Sequence, residues 1–252
     1  ALLKQLAEKL DAVRQKAGDY LERMLLSESP EIVGVAEKSR LLDILGLSVH
    51  GPAKNWSDAS QTIPLVMRVA SIDNYFEDVV AGIVLSIGGL TENVTKQASA
   101  SLLEWARSGE RSDRVKLIGY LVLLFETHSG QSRWILPVLK TLDHLLTHGC
   151  LNDLANSEPD FATRCQICLD REASLSQNVF LLFAIVDVTT ALLMALDKDA
   201  AVSRRLLAIL CTLLQHRFPR VRSYTAHQLY LLLLEGRLDV STDTLFDTIL
   251  KT

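Results

Sequence analysis

The sequence predicts an all-α chain of stacked antiparallel helical hairpins, and three observations carry that prediction. Apolar residues recur at steps of three and four along almost the whole length. No stretch keeps up the one-in-two alternation of a half-buried strand. Glycine, proline and small polar residues fall between the periodic stretches, where helices stop and start. Only 12 Gly and 6 Pro occur in 252 residues, and 48% of the residues are hydrophobic, which is the balance of an ordered chain able to bury a core.

In the first segment Leu3, Leu6, Leu10, Val13, Ala17, Tyr20 and Met24 share one helical face, with charged residues between them. One continuous amphipathic helix to about Leu26 is expected. It stops short of the four heptads of a coiled coil, so it packs along a neighbouring helix. Ser29-Pro30-Glu31 puts a capping hydroxyl, a first-turn proline and an acid in helix-start order, and the helix runs through Ile32, Val35, Ala36, Leu41, Leu42 and Leu45 to Gly46. Residues 47–59 mix Gly, Pro, Asn, Ser and Asp without a period and form a loop. Trp56 sits in this loop, either tucked into the core or exposed as an anchor for a partner. Residues 1–252 read as a single helical-repeat domain, with the 47–59 loop the one place where a sub-boundary fits.

Helices then follow at about 60–70, 73–87, 91–108, 112–128, 131–148, 160–173, 177–196, 199–216, 219–234 and 241–250. Gly88-Gly89, Gly109, Gly130 and Gly149 each follow an apolar run and supply its stop. Connections this short cannot cross a helix length, so neighbours run antiparallel. Pro219-Arg220-Val221-Arg222, followed by Ala226, Leu229 and Leu232, resembles the second helix of a HEAT repeat, and Val94, Ala98, Leu102 and Leu103 echo it. A HEAT/armadillo-like solenoid is the architecture this implies. Such a stack offers an extended surface and no enclosed cavity.

Several functions are disfavoured. The formal charge of −4 and the pI near 5.9 provide no basic excess for nucleic acid. Val179–Leu196 is apolar except for Asp187, Thr189 and Thr190, yet a carboxylate at mid-bilayer costs about 3 kcal/mol, so a buried helix is expected and no membrane span. Cys150, Cys165, Cys168 and Cys211 are too few and too scattered for a disulfide framework, and a reducing compartment is the default. His144, His148, Cys150, Cys165 and Cys168 include an i, i+4 pair and a CxxC. With no second pair to complete a zinc set, they read as a decorated helix face and buried small hydrophobes, and no metal or other cofactor is expected. The nucleophile-elbow, phosphate-loop, dinucleotide and zinc-protease motifs are all absent, so no catalytic residue is assigned. Arg217, Phe218, Arg220 and Arg222 crowd one inter-helix turn, the composition of a protein-binding patch as well as of ordinary solvent cover.

Asn55-Trp56-Ser57 with Ser60-Gln61 and Pro64, then the run Ser86 to Glu92, Leu136 to His144, Leu146 to Cys150, and His216-Arg217-Phe218-Pro219 resemble, in order and spacing, the C-terminal region of the tubulin-folding cofactor D family. The blocks span roughly residues 50–235, while the first 45 residues and 151–200 match only loosely. The resemblance implies a cytoplasmic helical-repeat chaperone associated with the microtubule cytoskeleton. It would act after the chaperonin, bind β-tubulin or the αβ-tubulin dimer, join cofactors E and C, and associate with an Arf-like small GTPase. GTP hydrolysis would occur on tubulin, stimulated by the assembled cofactors. Two other readings are a HEAT-like scaffold unrelated to tubulin and a direct GTPase-activating element using an arginine finger. The start at Ala1 and the periodicity from the first turn read as a piece of a longer chain.

Overall fold

The periodic apolar spacing becomes helix over most of the described residues. The computed structural model describes residues 1–27, 35–52, 54–89, 91–197 and 201–237, and among these there are thirteen α-helices and no strand. One compact unit, Ala1–Glu110, holds α1 (Leu2–Leu6), α2 (Asp11–Leu26), α3 (Lys38–Leu45), α4 (Ala59–Val69), α5 (Asp73–Ile87) and α6 (Glu92–Ser108). A second, Arg111–Thr252, holds α7 (Arg111–Thr127), α8 (Ser132–Thr147), α9 (Asn152–Ser157), α10 (Pro159–Leu175), α11 (Val179–Ala195), α12 (Ala201–Leu214) and α13 (Pro219–Leu234). The chain is therefore all-α, with short turns making antiparallel neighbours. The helix start at Ser29-Pro30-Glu31 and the helix expected over 241–250 lie outside the described residues; the 47–59 loop lies inside the first unit.

The first segment differs from its expectation, being two helices instead of one. The break at Ala7–Leu10 has a tertiary cause. Ser86 Oγ on α5 donates to the Ala7 carbonyl, and Arg14 Nη1 donates to the Glu8 carbonyl at 2.7 Å, so both oxygens are drawn out of the helical ladder. Here α1 crosses α5 at Gly82, where a Cβ would stand 2.9 Å from the Lys4 carbonyl; only glycine admits so close a crossing. Leu10 and Tyr20, expected to face a neighbour, are 57% and 50% exposed.

Loop residues 54–58 are sealed onto α2. The Trp56 ring lies against Gly18, its Nε1–H donates to Glu22 at 3.2 Å, and its carbonyl accepts the Thr62 hydroxyl at 3.0 Å. Gln15 accepts the Ser57 N–H at 3.0 Å, and Asp58 caps α4 by accepting the Ser60 N–H at 2.9 Å.

In the second unit, α7–α8, α10–α11 and α12–α13 are hairpins. Their first helices neighbour one another in the order α7, α10, α12, and their second helices in the order α8, α11, α13. Two rows result because each helix carries one apolar stripe for its partner and another for the adjoining hairpin. Apolar almost all round, α11 packs on α8, α10, α12 and α13. It is thus the buried helix expected, and no described helix is long and apolar enough to cross a membrane. A fully buried Glu172 near the end of α10 ties the hairpins together, accepting the Ser129 hydroxyl at 2.6 Å and the Gly130 N–H at 2.9 Å. The short α9 went unforeseen, since six residues are too few to display a helical period.

On the row of second helices, Asp143 and Asp187 share a surface groove with Tyr224, whose hydroxyl donates to Asp187 at 2.5 Å. Burial raises both carboxyls above the usual range, and burial followed by the Asp187 bond pushes Tyr224 up to about 12. A raised folded-state pKa means that ionised Asp143 opposes folding above that pKa and that the cost fades as pH falls through it. Asp143→Asn, which can still accept from Thr147, is therefore expected to raise Tm at pH 7 by about 2–4 °C per kcal/mol recovered. The gap should close toward pH 4, and calorimetry at the two pH values checks it; a lower Tm at pH 7 refutes it.

Candidate functional site

The turn between α12 and α13 gathers the expected cationic residues on one edge of the second unit. Phe218 is the N-cap of α13 and Pro219 its first residue, where the missing proline N–H leaves no bond unmade. The Phe218 N–H donates to His216 Nδ1 at 3.2 Å. That bond needs a neutral imidazole with an unprotonated Nδ1. Burial, then the charges of Arg217 and Arg222, hold the His216 pKa below its ordinary value, which favours this state.

The three arginines divide by role. Arg222 is half-buried, and its Nη1 donates back to the carbonyls of His216 at 3.0 Å and Arg217 at 3.3 Å, bracing the turn. Arg217 is exposed, its guanidinium carbon 4.7 Å from the centre of the half-buried Phe218 ring, which holds the planar fork in one orientation. Arg220, in the first turn of α13, is also exposed. Arg217, Phe218, Arg220 and Arg222 thus fall on one turn and helix start, with Arg217 over the aromatic ring and Arg220 exposed one helical step on.

Beside this turn an open groove of about 570 Å³ runs between the ends of α10 and α12. Ser174 and Gln177 line one side and Cys211 and Gln215 the other, with His216 and Arg217 at one end; among the described residues, no carboxylate lines it. Leu175 is 61% and Phe180 74% exposed, on either side of the α10–α11 turn that supplies the groove wall. Sequence reasoning missed both: Phe180 lies in the apolar run of α11, most of which is buried, and Leu175 stands alone between Ser174 and Ser176. The detectable signal was position: each sits within two residues of a helix end, where the apolar stripe runs out of partners. The groove is thus lined by hydroxyls, amides, an imidazole and the guanidinium group of Arg217.

Trp56 belongs to the other unit and is 1% exposed. Of its two readings, core or partner anchor, the structure realises the core one, because Gly18 leaves a slot for the indole on α2. Cys150, Cys165 and Cys168 are buried, and burial pushes the Cys165 and Cys168 thiols up, so neither is poised as a thiolate. The His144 and His148 rings lie 4.4 Å apart on α8 and its end. Among the described residues, no group of three or more His, Cys, Asp or Glu is placed to hold a metal ion.

The sequence profile of the family described as tubulin folding cofactor D C terminal matches residues 1–180. Tubulin-specific chaperone D from Dictyostelium discoideum is 23% identical over 237 residues, covering 88% of this chain and 16% of its own length. The chain thus spans about a sixth of that relative. No solved structure matches it.

Proposed function

The chain belongs to the tubulin folding cofactor D family, in its C-terminal region, and from that membership we propose that it serves as a protein-binding part of a tubulin chaperone. The observation that carries this reading is the family match over residues 1–180. Its partners are β-tubulin or the αβ-tubulin dimer, the companion cofactors E and C, and an Arf-like small GTPase, in the cytoplasm and at the microtubule cytoskeleton. It contributes contacts to dimer assembly and disassembly, while GTP hydrolysis takes place on tubulin. Arg217, Phe218 and Arg220 are the contact residues, with Arg222 holding their turn. With a net charge of −4 overall, attraction to an acidic partner has to come from such a local patch.

The test is capture of αβ-tubulin, β-tubulin-loaded cofactor E and the Arf-like GTPase by the chain at two salt concentrations. Arg217→Glu with Arg220→Glu is expected to weaken capture about tenfold or more at low salt and less at high salt. Arg222 is left intact because its loss would open the turn. Capture unchanged by both reversals removes the patch from the interface, and no capture by a folded chain places the gripping surface elsewhere. Arg217 and Arg220 are exposed, which also suits an arginine finger. Lysine at each position would preserve charge-driven capture while abolishing finger-type stimulation of GTP hydrolysis.

A further inference from the structure

We propose that the groove between the ends of α10 and α12 is a docking site for an extended acidic peptide segment carrying an apolar residue. This rests on the reading of the α12–α13 edge as a partner-binding surface, and it names the chemistry of what binds there.

Three features of the groove select such an occupant. Its walls are neutral and hydrogen-bonding: the hydroxyl of Ser174, which donates to the Asp170 carbonyl, can still accept, and the amides of Gln177 and Gln215 can donate to and accept from a peptide backbone without requiring a particular side chain. Its charge has one sign. Arg217 is the charged lining residue, Arg220 lies in the following helical turn, and His216 is held neutral by burial and by the two arginines beside it. The carboxylate nearest in sequence to the α10 wall, Glu172, is turned away and taken by Ser129 and Gly130. A carboxylate entering the groove therefore meets an oriented guanidinium fork and, among the described lining residues, no competing acid, while a basic segment meets repulsion. The third feature is apolar and lies beside the groove: Leu175, the last residue of α10, and Phe180, in the first turn of α11, flank the turn that forms one wall without lining the groove, and they remain 61% and 74% exposed. A large apolar side chain of the occupant that reaches past this wall would bury against them, an anchor that charge alone lacks.

Cys211 makes the groove directly readable. It lines the groove and is exposed, whereas Cys150, Cys165 and Cys168 are buried, so an alkylating reagent reports on this site. The experiment follows iodoacetamide modification of Cys211 by mass spectrometry, with a ten-residue glutamate-rich peptide bearing one central leucine. The controls are the same peptide with glutamine or lysine in place of glutamate. Only the empty groove reacts, so the glutamate peptide at about four times its Kd is expected to slow alkylation about fivefold. Added salt should weaken the protection. Neither control should protect, and Arg217→Glu with Arg220→Glu should abolish protection, each rate being compared with that of the same variant without peptide. Equal protection by the glutamine peptide, no protection by the glutamate peptide, or protection that survives the double reversal overturns the proposal. Capture of αβ-tubulin is measured alongside. Capture without peptide protection sinks the groove and leaves the tubulin reading standing; protection without capture supports the groove and removes tubulin as its occupant.

Discussion

Replacing Trp56 by alanine is expected to destabilise the Ala1–Glu110 unit by about 3–5 kcal/mol, the range for removing a fully buried large aromatic. The upper part of that range applies because the site cannot collapse. The segment around the indole is pinned on both sides: the Trp56 carbonyl accepts from Thr62, the Ser57 N–H donates to Gln15, and the slot on α2 is shaped by a glycine. Glu22 would also lose the indole N–H as a partner, though it sits nearer solvent. Gly18→Ala probes the same contact from the other side. Its Cβ would fall 2.0 Å from the Trp56 ring, an overlap no rotamer relieves, so a loss of about 1–3 kcal/mol is expected from overpacking. The two changes made together should cost less than their sum, since the small residue fills part of the space the ring vacates. Urea titration with an unchanged m-value measures all three. A Trp56→Ala loss below about 1 kcal/mol would show that the slot closes after all.

Arg14→Met should cost the same unit about 2–4 kcal/mol, for a different reason. The side chain is 1% exposed, and its guanidinium gathers the Glu8 carbonyl, the Ser57 carbonyl and the Asp11 carboxylate. Methionine keeps the apolar stem and deletes the charge, leaving two backbone oxygens in a buried place without their donor. Asp11 contributes little to the loss, because its side chain is 74% exposed and water replaces the guanidinium there. Arg14→Lys should recover only part, since one ammonium cannot span oxygens that a planar fork reaches from opposite sides. Hydrogen exchange offers a local readout: the amide of Ser57, bonded to Gln15, should lose protection ahead of the helices of the second unit. A variant of wild-type stability would mean that water serves both carbonyls.

Much of the candidate site was legible because it lies in contiguous residues. Arg217, Phe218, Arg220 and Arg222 fall on one turn, and Pro219 marks a helix start wherever the helix packs. Their division of labour was not legible. Which arginine braces the turn and which face outward depends on the path of the backbone over 216–218, and the neighbouring groove is made by α10, some forty residues earlier in the chain. Phe180 was hidden by the apolar run of α11, whose average is buried.

By itself the sequence determined the helical character of the chain, most helix ends, the burial of α11 and the family, because each is written in local spacing, capping residues or short distinctive strings. Only the tertiary structure decided where those helices yield to other demands. The single first helix becomes two because Ser86, 79 residues from Ala7, takes a carbonyl that the helix would have used. Trp56 becomes a core residue because Gly18 meets it across α2, and Arg14 is buried because Ser57, 43 residues away, offers it an oxygen. The physical reason is common to all three. A backbone group or side chain satisfies its hydrogen bonds and its contacts with whatever folding brings within reach, and no period of three or four residues encodes a partner that far along the chain.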